Sequence, residues 1–267
     1  AKLVPGIFHE CSLKKVKGIV LISAGFREID DSQGAVLQKT LAELANKAGI
    51  PVIGPNTFGM VNLHIDLNAS FTPEFSWLPK GGIALVSQSG GISHLLGFMA
   101  MRQNAGVSKI VGLGNRLNVD FSEMVPYLMQ DSDTRVIALY LEGLDEPRRL
   151  MEAMKQTRFV KPVVAYKTGS SRTGNQASLS HTGSLAGRQE IYEGALKQCG
   201  VLYVDGAETL LDASRALSLC PLPEGGRVAI LSGQAGPAMA ASDVCEAGGM
   251  EIAAFHPETQ RLINTLL

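Results

Sequence analysis

The sequence predicts an α/β protein built on doubly wound parallel sheets. Short apolar runs that read as buried strands alternate, almost from end to end, with segments whose apolar residues recur near a 3.6-residue period. The turns after the strand-like runs are rich in Gly, Ser and Asn, as strand-to-helix crossings require. A chain of 267 residues, 45% hydrophobic and 18% charged, is long enough for about two domains and too apolar to be disordered.

The elements follow in order. A segment over residues 5–16 reads as a helix ending near Gly18, and GIVLI (Gly18 to Ile22) as the first strand. A helix over 34–48 follows, with Val36, Leu37, Leu41, Leu44, Ala45 and Ala48 on one face and Gly49 as its stop before the strand Ile50 to Ile53. The chain is therefore expected to enter a fold already under way, as the glycine-rich first turn of such domains is not among these residues. Residues 54–79 carry three prolines and little periodicity, and read as a long connector between domains. A second domain opens with the strand Ile83 to Val86, the turn SQSGG (Ser87 to Gly91) and a helix to about Ala105.

Strands at 109–113, 135–141, 162–166 and 201–204 then alternate with helices at 122–129, 146–156, 188–199 and 208–219. Cys220 to Glu224 reads as a linker. A further strand at 227–231, the turn SGQAGP (Ser232 to Pro237), a helix to Ala247 and a strand at 250–254 begin a third α/β unit. The likeness of SGQAGP to SQSGG suggests a repeated strand-turn-helix unit.

Charge excludes some partners. With 24 basic against 25 acidic residues, no footprint for nucleic acid or an anionic membrane stands out. No charged leader opens the chain, and no apolar run approaches the roughly 20 residues that span a bilayer, so a cytoplasmic protein is expected. Cys11, Cys199, Cys220 and Cys245 are far apart in apolar surroundings and read as buried free thiols. His9, His64, His94 and His256 show no metal spacing, so no metal site is expected.

The candidate chemistry gathers at the ends of strands. Where a strand enters a helix through SQSGG (Ser87 to Gly91), the first-turn N–H groups and the helix dipole favour an anion. Ser and Gly are also ordinary capping residues, which is the plainer reading. The GPN turn, with Asn56, and GNRLNVD, with Asn115, also follow strands, where open sheets gather ligands. Glu142 ends another strand and needs a partner: Arg148 or Arg149, or, more pointedly, His181. His181 lies in SLSHTGSLAG (Ser178 to Gly187), a run of small residues that leaves both ring nitrogens approachable, as a nucleophilic imidazole requires. A lone loop histidine is otherwise a solvated residue. Arg172 could screen a phosphate nearby, and Phe75 and Trp77 are expected to pin the domain boundary.

Taken together, ISAGFRE (Ile22 to Glu28), IGPNTFG (Ile53 to Gly59), LVSQSGG (Leu85 to Gly91), GNRLNVD (Gly114 to Asp120), YLEG (Tyr140 to Gly143) and SHTGSLAG (Ser180 to Gly187) resemble a known family. It is the α-type part of the nucleoside-diphosphate-forming acyl-CoA synthetases, nearest to the ADP-forming acetyl-CoA synthetases and more distantly the succinyl-CoA synthetase α subunit. The resemblance implies succinyl-CoA synthetase-like domains: residues 1–79 as the C-terminal part of a CoA-binding Rossmann-like domain plus linker, 80–220 as a flavodoxin-like phosphohistidine domain, and 221–267 as the start of a third α/β domain. It places His181 as the phosphohistidine, Glu142 as its orienting carboxylate, and Ser89, Gly90 and Gly91 as the phosphate seat. Asn56, Ser87 and Asn115 are then expected on the substrate and CoA side.

The resemblance further implies coenzyme A and a small carboxylic acid or acyl-CoA as substrates, and ADP or ATP with Mg2+ on an ATP-grasp β-type subunit or domain, in an oligomer. Phosphate is carried transiently on His181. The alternatives are a non-catalytic CoA- or acyl-CoA-sensing module of the same fold, and an unrelated flavodoxin-like binding domain.

Overall fold

The computed structural model describes residues 1–29, 31–156, 160–169 and 188–266. They form two compact units, Ala1–Cys220 and Pro221–Leu267.

The first unit opens with α1 (Val4–Leu13), β1 (Ile19–Val20), α2 (Ser32–Ala48) and β2 (Val52–Ile53). Asp31 caps α2 by accepting from the Gln33 N–H, and Gly49 ends it in the left-handed region at φ 64°. β1 and β2 pair in parallel, Ile19 beside Val52. Phe8, Phe26, Leu41, Ala45 and Val52 make a small core that also takes in Leu117 from much further along the chain.

A seven-stranded sheet organises the rest of this unit. Its strands are β3 (Gly59–Asn62), β4 (Leu67–Ser70), β5 (Lys80–Ser87), β6 (Val107–Gly112), β7 (Val136–Leu141), β8 (Val163–Lys167) and β9 (Leu202–Val204). They lie in the order β4-β3-β6-β5-β7-β8-β9. The run from β6 to β9 is parallel, and β3 and β4 add an antiparallel edge. Helices α3 (Gly90–Arg102), α4 (Phe121–Gln130), α5 (Pro147–Gln156) and α6 (Gln189–Gln198) lie between successive parallel strands in the chain, and α7 (Ala207–Leu219) follows β9.

Successive residues of β5 serve opposite cores. Ala84 and Val86 join Phe121, Val125, Leu150, Met154 and Leu196 of α4, α5 and α6, whereas Ile83 and Leu85 join Leu96, Ala100, Leu210 and Leu211 of α3 and α7. A strand covered on both faces must be apolar at every position, hence the unbroken runs in the sequence. Each large side chain fully buried this way stabilises the fold by about 1.5–3 kcal/mol.

The stretch 54–79, expected to be a connector, instead supplies β3 and β4. Asn62 caps the 3-10 turn between them and Asp66 closes it in the left-handed region, so short polar strands carry the pairing where no periodicity was readable. Phe75 is fully buried, but Trp77 is exposed. The cysteines also depart from expectation: only Cys199 is buried, Cys11 and Cys245 are partly so, and Cys220 is exposed.

The second unit contains β10 (Arg227–Val228), α8 (Ala235–Ala247), β11 (Glu251–Ile252) and α9 (Pro257–Leu266), with β10 and β11 parallel. Its strand-to-helix turn reproduces that of the first unit. Ser232 Oγ accepts from Gln234 N at 3.1 Å and donates to its carbonyl at 2.8 Å, as Ser87 Oγ does with Ser89 at 3.1 and 2.9 Å.

One charged pair is buried inside the first unit. The Lys109 ammonium, 2% exposed, lies 2.6 Å from Asp131. Burial alone would raise the Asp131 carboxyl, but the hydrogen bond from Lys109 and that from Thr134 hold it below its ordinary value. Asp131→Ala would leave the ammonium buried without its nearest counter-ion, so urea unfolding should show a loss of about 3 kcal/mol. Because the folded carboxyl sits below its unfolded value, its contribution is complete above about pH 4 and is lost as pH falls further. Acid unfolding of Asp131→Ala should therefore be less steep than that of the parent.

Candidate functional site

Chain order sets where the site lies. From β5 the chain passes through α3 to β6 on one side, then crosses back through α4 to β7 on the other. The loops after β5 and β7 thus part at a topological switch point, where open parallel sheets hold ligands. A cavity of about 400 Å³ opens there, lined by Asn56, Gln88, Ser89, Gly90, Gly91, His94, Gly114, Asn115 and Glu142 among others.

The turn after β5 is shaped by its own hydroxyls. Ser87, 1% exposed, is absent from the cavity lining and spends its hydroxyl on Ser89. Ser89 caps α3, its Oγ accepting from Ile92 N at 3.4 Å, while Ser93 Oγ donates to the Ser89 carbonyl at 2.9 Å. Among the described residues no acceptor meets the Gly90 and Gly91 N–H groups, which end the helix at the cavity. Two open amides with the positive end of a helix dipole favour an anion.

His94 braces this turn from one helical turn on. Its Nδ1 lies 2.7 Å from the Gly90 carbonyl, which can only accept, so Nδ1 carries a proton; Nε2 meets the Thr72 hydroxyl at 2.6 Å. Its ring stacks on Phe71 at 5.4 Å and meets Phe58 and Phe75 at 5.5 and 5.6 Å. Nothing in the sequence distinguished it from a core histidine beyond its place four residues after Gly90.

Asn56 and Asn115 come together because two turns are laced by their backbones. Asn115 N donates to Pro55 O and Leu117 N to Gly54 O, each at 2.8 Å. Gly114, at φ 55°, permits this approach, since a Cβ there would meet Pro55 O at 2.2 Å. The Asn115 amide is committed within the protein: Nδ2 donates to Glu28 and to Gln38, and Oδ1 accepts from Asn56 at 3.3 Å. Burial pushes the Glu28 carboxyl up, but the N–H of Gly25 and the Asn115 amide outweigh it and hold it low, as a charged anchor.

Glu142 lies half-buried on the opposite wall. The main chain around it is held from several sides. Gln88 Oε1 accepts from Glu142 N at 2.6 Å and from Gly143 N at 3.2 Å, Arg116 Nη1 donates to Gly143 O at 3.1 Å, and Leu144 N donates to the Tyr192 hydroxyl at 3.2 Å. Arg149 does not serve Glu142; it pairs with Glu123 and Glu146. Among the described residues, Lys167 at the end of β8 is a cation that feels the Glu142 charge. Burial pulls the Lys167 ammonium down to about 8, and the Glu142 charge works against that fall. Lys167 lies 4.7 Å from the Tyr192 ring centroid and donates to the Thr168 carbonyl at 2.7 Å. Burial likewise pushes the Tyr140 phenol up to about 12, opposed by its hydrogen bond with Thr168 and helped by the Glu142 charge.

His181, with Arg172, lies outside the described residues. The chain leaves β8 after Lys167, on the same sheet edge as Glu142, where Thr168 N donates to Leu141 O at 2.9 Å. Among the described residues no group of three or more His, Cys, Asp or Glu could hold a metal, and no helix is long and apolar enough to cross a membrane.

Residues 80–217 match the family described as "Succinyl-CoA ligase like flavodoxin domain". Over 266 residues the chain is 38% identical to the "Acetate--CoA ligase [ADP-forming] II subunit alpha" of Pyrococcus furiosus, covering 100% of this chain and 57% of that one. It is 41% identical to the "Acetate--CoA ligase [ADP-forming] I" of Archaeoglobus fulgidus, again over 100% of this chain but 38% of the relative. The chain thus spans about half or less of the length of these relatives. Among solved structures, the acetyl-coenzyme A synthetase 1 of Ca. Korarchaeum cryptofilum, in complex with phosphate and ADP, matches with a TM-score of 0.87 at 33% identity, over 94% of this chain and 54% of that one.

Proposed function

Because the chain belongs to the ADP-forming acyl-CoA ligase family with the succinyl-CoA ligase-like flavodoxin domain, we propose that it is the phosphoryl-relay part of such a ligase. The observation that carries the proposal is the pairing, across one switch-point cavity, of the open amides of Gly90 and Gly91 with the carboxylate of Glu142. Phosphate attacks the acyl-CoA thioester, giving acyl phosphate and free CoA. An imidazole nitrogen of His181 then attacks the phosphorus, and the carboxylic acid leaves as its carboxylate. Finally the phosphoryl group passes from His181 to ADP, giving ATP and restoring the imidazole.

Each residue has a share in this scheme. The Ser89–Gly91 turn neutralises phosphoryl oxygens with fixed dipoles, which need no reorganisation as charge builds. Glu142 accepts from one imidazole N–H and stabilises the positive ring, leaving the other nitrogen to attack. Asn56 and Asn115 frame the substrate side, and Ser87 fixes the turn. Coenzyme A and a small carboxylic acid are the substrates, and ADP or ATP with Mg2+ binds on an ATP-grasp subunit or domain within an oligomer. The greater length of the relatives supports such a partner or fused domain. Residues 1–79, 80–220 and 221–267 are assigned as the end of a CoA-binding domain with its linker, the phosphohistidine domain and the start of a third domain. The phosphate and ADP bound by the structural relative support this reading, which carries with it a cytoplasmic location. The ligase names of the relatives favour it over a sensing module.

The test is to react the full-length assembly with acyl-CoA and radiolabelled phosphate, omitting ADP. Acid-labile label on the peptide carrying His181 supports the relay; label on another residue, or none, refutes it.

A further inference from the structure

The two walls of the cavity are tied together by a side chain that touches neither substrate nor histidine in the scheme above. Gln88 stands between the last residue of β5 and the capping Ser89, and is 5% exposed. Its own N–H donates to Tyr140 O at 3.4 Å, and its side-chain oxygen receives the N–H groups of Glu142 and Gly143. Two main-chain donors aimed at one atom can be met only by an acceptor, which fixes the amide oxygen, not the nitrogen, on this side. The anion-seating turn and the carboxylate are thereby joined through a single residue across the crevice.

We propose that Gln88 is a positioning residue for phosphoryl transfer: it sets the Glu142 carboxylate at a fixed place relative to the Ser89–Gly91 seat. The inference rests on the role proposed for Glu142. It also accounts for the residue type. A hydrocarbon would leave two buried N–H groups without an acceptor and let the Glu142 loop drift. A carboxylate would satisfy both donors but place a second negative charge beside Glu142 and the phosphate. A neutral amide supplies the acceptor without the charge.

The test compares Gln88→Met, Gln88→Glu and His181→Asn in the full-length assembly, reading kcat, KM for CoA and the pH–rate profile. Gln88→Met should lower kcat about 100-fold, as a displacement near 1 Å does, with KM for CoA little changed. Gln88→Glu, which keeps both hydrogen bonds, should recover most of that loss, with the acid limb of its profile moved to higher pH by the added charge. Should Gln88→Met fail to fold, the displaced acid limb of Gln88→Glu still carries the test. If Gln88→Met turns over normally, or if both variants are equally slow with an unmoved pH profile, Gln88 is structural only and the inference is overturned. If His181→Asn is itself active, it is the relay reading that fails.

Discussion

Full-length protein carrying His181→Asn should lose net turnover by about four orders of magnitude or more, the usual consequence of removing a covalent nucleophile. Asparagine keeps a polar side chain of modest size but offers no nitrogen that can bear a phosphoryl group. Nothing that seats the substrate changes: the Ser89 cap, the Gly90 and Gly91 amides and the Asn56–Asn115 lacing all lie on other segments. The variant should therefore bind CoA with unaltered affinity and unfold at the parent temperature, while incorporating no acid-labile phosphate. Loss of turnover accompanied by loss of CoA binding would mean that the residue acts in assembly instead.

Glu142→Gln should reduce turnover about 10,000-fold, the order found when the carboxylate that orients a catalytic imidazole is neutralised without changing its shape. The backbone position survives the change, because Gln88 holds the Glu142 and Gly143 N–H groups and not the side chain. What is lost is a negative charge facing the imidazolium. A second readout lies within the same cluster. Since the Glu142 charge supports protonation of Lys167, which stands at about 8, its removal should move the Lys167 titration lower still, as NMR of labelled lysine would detect. An unmoved Lys167 would show that the two groups are screened from each other.

Much of this arrangement was legible in the sequence, and what was not has identifiable causes. The parallel strands could be read because burial on both faces makes them continuously apolar, as with Ile83 to Val86. Ser89, Gly90, Gly91 and Glu142 could be found because each follows such a strand, and the fold alone brings those ends to one edge. The β3–β4 hairpin escaped because its strands, GMVN and LNAS, are short and mixed in polarity and are held by pairing, β4 on β3 and β3 on β6. Besides Arg148, Arg149 and His181, which the sequence offered as partners for Glu142, the described residues bring Lys167 near it: the register of β7 with β8 sets Lys167 beside Leu141, a relation that no local pattern encodes. Ser87 was placed with the ligand, yet its hydroxyl is consumed in shaping the turn. Gln88 lies inside SQSGG without a role that the motif assigns, and His94 belongs to no motif; their significance is a matter of which backbone groups they reach.

The central claim is that the start of α3 is a phosphate seat facing Glu142, and an amide-shift titration of this chain with inorganic phosphate tests it most directly. Saturable shifts centred on the Gly90 and Gly91 amides, extending through Gln88 to Glu142, are the predicted result. Shifts confined to the cavity at the opposite sheet edge, lined by Lys80, Arg135 and Arg215, with Gly90 and Gly91 unmoved, would contradict it.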